Sequence, residues 1–235
     1  SDNNLLKTGA EFRQQEGKLL TGPVYMVHNS WKTYDWSAFA LDKHNFTEKL
    51  SGVAGARFNN DEISGSFFAP RAGVEYSLSE VYSVKALYSK GFRAPYLNEL
   101  YLVPARNENL EAEEVNNYEI GFSAESYDFK FNMTGFIMKG SNIIDNSGGK
   151  FQNTGEYEFK GCEIDANYAF SKYLNAGLGY TYFDSGKNTQ GRPVNKIDAG
   201  LTVKINKFSF NTNTMFLAEY YAANYKQNRL DDFAV

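Results

Sequence analysis

Between Tyr118 and Phe216 the chain repeats one unit: a strand-length segment whose side chains alternate in polarity, closed in turn by a very tight turn and by a long polar stretch. The clearest segment covers residues 174–182. There Leu174, Ala176, Leu178, Tyr180 and Tyr182 fall on one side, and Asn175, Gly177, Gly179 and Thr181 on the other. Successive side chains of a strand point to opposite faces, so one face of this segment suits hydrocarbon and the other suits water. Units of about ten residues with that property are the signature of a transmembrane β-barrel. The fold expected is all-β, an antiparallel transmembrane β-barrel.

Average hydropathy hides such strands, because half of each faces water. It does exclude a membrane helix, since no run of about 18 apolar residues exists. Phe, Trp and Tyr make up 16% of the chain, more than a soluble sheet requires, and barrels concentrate such rings at the two membrane interfaces. A net charge of -4 without a clustered basic face argues against a nucleic-acid partner. The single cysteine, Cys162, leaves no internal disulfide and no cysteine-based metal cluster. It shares the apolar side of its strand with Ile164, Ala166, Tyr168 and Phe170, as a structural thiol would. There is no nucleophile elbow, no zinc-binding spacing and no phosphate loop, so neither an enzyme nor a resident metal is expected.

Strands are expected at 6–13, 34–45, 49–58, 70–77, 81–90, 118–124 and 127–133, around Ile164, at 174–182, and in a last hairpin of 201–205 with 208–210. That is about eleven strands and a started twelfth, or half of a barrel of about 22. Tight turns fall near Thr47, Ser79, Ser126, Lys172 and Asn206. The intervening connections, 14–32, 59–65, 91–114, 140–155, 184–191 and 220–229, are expected to be long loops. Outer-membrane barrels keep short turns periplasmic and long loops extracellular, which would put 91–114 outside the cell. Within 34–45 the pattern leaves open which of Trp36, Ala38, Phe39 and Leu41 meets lipid.

Residues 1–235 read as part of one barrel domain. Residues 1–4 have neither the basic nor the apolar region of a signal peptide, and 231–235 look like a strand barely begun, so a piece of a longer protein is expected. The bland competitor is a soluble antiparallel sandwich with its apolar face inward. It would have to keep Lys130, Asn132, Thr134, Glu163, Asp165 and Asn167 near a dry centre or abandon the alternation, and dry polar groups are costly.

The most specific stretch is 89–110, SKGFRAPYLNELYLVPARNENL. Phe92, Arg93, Ala94 and Pro95 spell an F-R-A-P box, and Asn107, Glu108, Asn109 and Leu110 an N-P-N-L box with Glu108 in place of the proline. With LKTGAEFRQQ at 6–15, APRAGVEY at 69–76, NNYEIGF at 116–122 and FQNTGEYEFKGCEIDA at 151–166, the chain resembles the TonB-dependent outer-membrane receptors. The resemblance implies a 22-stranded barrel with a plugged lumen. The plug domain, the energy-coupling box before it and the last strands would lie outside this sequence. It also implies a place in the bacterial outer membrane among lipid and lipopolysaccharide, and contact with TonB through that missing N-terminal region. The activity implied is active uptake, of a ferric siderophore first and of haem as the alternative. No cofactor would be covalently bound, and the transported ligand would be an iron chelate. The competing class is a non-transporting outer-membrane barrel, an enzyme or an adhesin, which would lack a plug.

Large anionic iron chelates call for cations beside aromatic surfaces. Arg93, Tyr96, Tyr101 and Arg106 meet that need as ligand contacts of an extracellular loop. The bland reading of the same residues is a wall hydrogen-bond network at Arg93 and girdle rings at Tyr96 and Tyr101. Haem receptors of the family carry a histidine between the two boxes, and this chain has none there, although tyrosinate can ligate haem iron. His28 falls in an expected outer loop, where a solvated residue is the default over an axial ligand. His44 sits beside a tight turn, at the wrong end for capture. Acidic residues in 107–114 and at Asp61 and Glu62 offer oxygen donors to calcium without the spacing of a calcium loop, so solvated loop charge is the default. Lys139, Lys150 and Lys160 flank an outer loop, either to attract lipopolysaccharide phosphate or as interface markers.

Overall fold

The computed structural model describes residues 4–21 and 26–234, with all of their side chains except those of 19–21 and 26–29. Strands follow one another in chain order: β1 (Asn4–Thr21), β2 (Met26–Asn45), β3 (Leu50–Asp61), β4 (Gly65–Ser77), β5 (Tyr82–Arg93) and β6 (Glu113–Glu125). They continue with β7 (Phe129–Ser147), β8 (Lys150–Ser171), β9 (Leu174–Asp184), β10 (Asn195–Ile205), β11 (Phe208–Ala218) and the short β12 (Phe233–Ala234). All lie in one 12-stranded sheet in sequence order, with β1 and β12 as its edges. The described residues thus bear out an up-and-down antiparallel wall of about eleven strands and a started twelfth. No helix of the described residues is long and apolar enough to cross a membrane, and β-strands cross by other means.

The register carries one apolar face across the sheet. Phe12 pairs with Trp36, Ala38 with Phe58, Tyr88 with Tyr118, Met133 with Ile164 and Ala166 with Leu178. Most of this face stands exposed, Ile120 at 69% and Leu178 at 57%, with Tyr88 and Ile164 half-buried. Paired residues share a face, so Trp36 and Ala38 belong to the apolar side, and Phe39 and Leu41 to the other. That settles the ambiguity in β2. The opposite face carries Lys130 beside Asn167, Asn132 beside Asp165 and Thr134 beside Glu163. A solvent that accepts the first face is hydrocarbon, and one that accepts the second is water.

Five turns are tight and fall where expected, at 46–49, 78–81, 126–128, 172–173 and 206–207. Three share one device. Thr47 Oγ1 accepts from the Lys49 and Leu50 N–H groups, Ser79 Oγ from Val81 and Tyr82, and Ser171 Oγ from Tyr173, so a hydroxyl satisfies the turn amides.

The other end corrects the sequence reading. The expected loop 140–155 is a continuation of β7 and β8 into a ribbon that closes in two residues, Gly148 and Gly149, at φ 64 and 80. A two-residue turn with both φ values positive favours glycine. The expected loop 59–65 shrinks to three residues, because Asp61 Oδ1 accepts from the N–H groups of Ile63 and Ser64 and Gly65 takes φ 84. Much of 14–32 is likewise paired strand, Gln14 with Tyr34 through Lys18 with Ser30. Beyond the hydrocarbon both faces of a ribbon meet water, so the alternation that marks a strand disappears while its backbone ladder continues.

Candidate functional site

Of the connections at that end, 94–112 packs most closely. It leaves β5, makes a π-helical turn at Asn98–Leu102 and returns into β6. The F-R-A-P box marks its departure. Pairing between β4 and β5 stops at Arg71 with Ser89, next to Pro70, which has no N–H to donate. Past that point Phe67 and Phe92 stack at 4.7 Å.

Arg93 then closes a clasp. Its Nε donates to Glu113 Oε2 at 2.6 Å and NH2 to Glu113 Oε1 at 2.6 Å, while NH1 and NH2 reach Glu99 Oε2 and Oε1 at 3.0 and 3.3 Å. Glu99, only 9% exposed, also accepts from the Tyr96 N–H at 2.7 Å, and Glu113 from the Ile144 N–H at 2.9 Å. The guanidinium lies 4.8 Å from the centre of the Tyr96 ring. A planar fork between two carboxylates is a geometry lysine cannot reproduce.

The second box pins the far end. Asn107 Nδ2 donates to the Phe151 carbonyl at 2.8 Å, its Oδ1 accepts from the Asn109 N–H, and the Phe151 N–H returns a bond to Ala105. Asn153 exchanges bonds with the backbone of Glu111 and also holds the Asn142 carbonyl. Leu100, Leu110 and Ile144 form a small buried core, with Ile63, Tyr101 and Phe151 packed against it. Tyr101 stacks on Trp31 at 5.5 Å, and Leu97 and Leu102 close over Gly17. The segment is therefore a strut from the β1–β2 ribbon to the β7–β8 ribbon.

The four residues singled out in the sequence lie on or beside this one segment, only Arg93 and Tyr96 in contact, and they do different things. Arg93 is engaged by two carboxylates and Tyr101 by Trp31, whereas Tyr96 is 56% exposed and Arg106 is exposed. Of the motif residues, Pro95 and Leu110 are buried, and Glu108 and Asn109 face solvent. Beside the start of the strut lies a cavity of about 440 Å³, lined among others by Arg13, Arg57, Asn59, Asp61, Phe92 and Tyr96. Its charges are paired along the polar face, Arg13 with Asp35 at 2.8 Å and Arg57 with Glu11. His28 has its side chain outside the described residues, and His44 meets Phe46 edge-on beside a tight turn at the opposite end. Among the described residues no group of three His, Cys, Asp or Glu is placed to hold a metal ion.

Glu113 stands at the first residue of β6, outside the apolar band. Burial works to raise its pKa, but hydrogen bonds from Arg93 and the Ile144 N–H hold the carboxyl below its ordinary 4.5. A depressed acid contributes stability in full above the unfolded value and loses it as pH falls through the folded one. Proteolytic cleavage within 94–112 of the intact receptor should therefore be flat from about pH 8 to about pH 5 and rise below about pH 4.5. A rise beginning near neutrality would contradict the clasp.

Residues 3–234 match the family model described as TonB dependent receptor-like, beta-barrel. The vitamin B12 transporter BtuB of Vibrio cholerae serotype O1 is 34% identical over 151 residues, 62% of this chain and 24% of that protein. The probable TonB-dependent siderophore receptor PiuA of Acinetobacter baumannii is 26% identical over 165 residues, 67% of this chain and 22% of that protein. A mutant of the ferric enterobactin receptor PfeA of Pseudomonas aeruginosa superimposes with a TM-score of 0.79 at 16% identity, over 98% of this chain and 42% of that one, a likeness of fold. The chain thus spans about a quarter of the length of the curated relatives it matches.

Proposed function

Because the chain belongs to the family of TonB-dependent receptor β-barrels, we propose that it forms part of the wall and outer mouth of a receptor importing a ferric siderophore across the bacterial outer membrane. The observation that carries this reading is the braced strut 94–112, which holds exposed Tyr96 at the edge of a cavity lined by Arg13, Arg57, Asn59 and Asp61 and presents exposed Arg106 on the same segment. In this reading Tyr96 and Arg106 touch the ligand, and Arg93 is a positioning residue that holds Tyr96. The tight turns face the periplasm, the strut faces outward, and TonB engages a part of the receptor beyond this chain. The relatives named above are transporters and receptors, and an enzyme is not expected.

Haem is disfavoured by Tyr101. Burial first, and then the charges of Glu108 and Asp61, push its phenol above the ordinary tyrosine range, which works against an iron-ligating tyrosinate. Cobalamin is the second reading, favoured by the likeness to the vitamin B12 transporter. Outside the apolar band, Lys139 and Lys160 both pair with Glu158, at 2.9 and 2.6 Å, on the lipid-facing side beyond Ile137. Asp184 faces Lys160 across the strand pair, so two ammonium groups meet two carboxylates and the cluster holds no surplus charge for a lipopolysaccharide phosphate.

Binding of ferric siderophores, cobalamin and haemin to the intact receptor, followed by tryptophan fluorescence, tests the reading. An iron chelate should bind, and replacing both Tyr96 and Arg106 with alanine should weaken it by about tenfold or more. Capture of cobalamin or haemin with no iron chelate would overturn it.

A further inference from the structure

A cluster of four aromatic side chains breaks the rule that the lumenal face is polar. Phe136, Tyr157, Phe159 and Phe183 lie on the same face as Thr134 and Glu163, at the outer end of the wall. Tyr157 stacks on Phe159 at 4.2 Å with planes 17° apart, and Phe183 packs against Phe159 at 5.3 Å and Phe136 at 6.1 Å. Tyr157 rests where any side chain at Gly140 would stand, so that glycine seats the ring.

Above this platform Arg192 places its guanidinium 5.3 Å from the centre of the Phe159 ring. It is held by carbonyls, with NH1 donating to Asn188 O at 2.8 Å and Gln190 O at 3.3 Å, and it has no carboxylate partner among the described residues. Its loop is itself fixed. Thr189, 1% exposed, donates to the Ala223 carbonyl and accepts from the Lys226 N–H, and the Gln190 N–H donates to Asn224. A cavity of about 530 Å³ opens there, lined by Tyr157, Phe159, Arg192 and the side-chain amides of Asn188, Gln190 and Asn224. Two exposed carboxylates, Asp145 and Glu156, complete its rim.

The geometry points to a second ligand subsite at Arg192, Tyr157 and Phe159 that takes a flat phenolate-bearing ring joined through an amide, the chemistry of a catecholamide iron chelate. A stacked, backbone-anchored guanidinium meets the phenolate oxygens. The aromatic platform takes the ring edge, and Asn188 and Gln190 meet the outward-facing amide carbonyl. Citrate and hydroxamate complexes offer no ring to the platform, so they are poorer occupants.

This subsite rests on the siderophore reading, and its test separates the two. The intact receptor is titrated with the iron(III) complexes of N-methyl-2,3-dihydroxybenzamide, of citrate and of acetohydroxamate. The catecholamide complex should bind most tightly. Arg192→Gln and Phe159→Leu should each weaken it at least tenfold, Arg192→Lys should restore part of the loss, and binding of the neutral hydroxamate complex should not change. Unchanged catecholamide binding in Arg192→Gln, or equal loss for all three complexes, would overturn the subsite and leave siderophore import standing. If the unmutated receptor binds none of the three, the siderophore reading itself falls.

Discussion

Replacing Arg93 with alanine in the intact receptor is expected to release the strut 94–112 while the sheet beneath it stays paired. The substitution strands two carboxylates, and among the described residues neither has another cation on it: Glu99 is held otherwise by the Tyr96 amide, and Glu113 by that of Ile144. Breaking a fully buried pair costs about 3–5 kcal/mol. The Arg93 side chain keeps 31% exposure, which lowers the expected loss to about 2–3 kcal/mol. Hydrogen exchange reads this as about 30- to 150-fold faster exchange of amides across 95–112. The tight-turn end, around Tyr82 and Ser126, should not change. Arg93→Lys keeps the charge without the fork and should fall between. Because Tyr96 leans on Arg93, iron-chelate binding should weaken in parallel. Unaltered exchange across the strut would show that Leu100, Leu110 and Ile144 hold it without the clasp.

That division of labour explains what the sequence could reveal. The wall was legible because within hydrocarbon each strand must show one greasy and one wet face, as Tyr118, Ile120, Phe122 and Ala124 do against Glu119, Gly121 and Ser123. The turns at Thr47 and Ser79 were legible because small hydroxyl residues satisfy turn amides. The ribbons were not. From Gly140 to Ser147 both faces leave the membrane, a register shift interrupts the ladder after Gly140, and polar residues there look like loop. The boxes located the strut, but a motif does not say which of its side chains are already partnered. Nothing local to Arg93 reveals Glu113, twenty positions away, as its partner. Arg192 and the ring of Phe159 are farther apart still, and aromatic residues on a lumenal face run against the alternation used to find the strands.

The strongest test of the wall itself compares two substitutions at one height on opposite faces. Ile120 pairs with Gly135 and its neighbour Gly121 with Thr134, so Ile120 and Thr134 lie one pleat apart across the same hairpin. Ile120 is 69% exposed on the apolar face, between the rings of Tyr118 and Phe122. An arginine at such a lipid-facing position near mid-depth costs about 2–4 kcal/mol. Thr134 faces the lumen beside Glu163, where a lysine meets water and a carboxylate, and its effect should stay within about 0.5 kcal/mol. Urea unfolding of the intact receptor in lipid vesicles should therefore place Ile120→Arg well below the parent and Thr134→Lys beside it. Two substitutions that differ by one residue in sequence register would then differ most in stability, because the solvent on the two sides of a single strand pair is different. Equal effects would mean that the exposed aliphatic face is not meeting hydrocarbon, and the membrane assignment would fail with it.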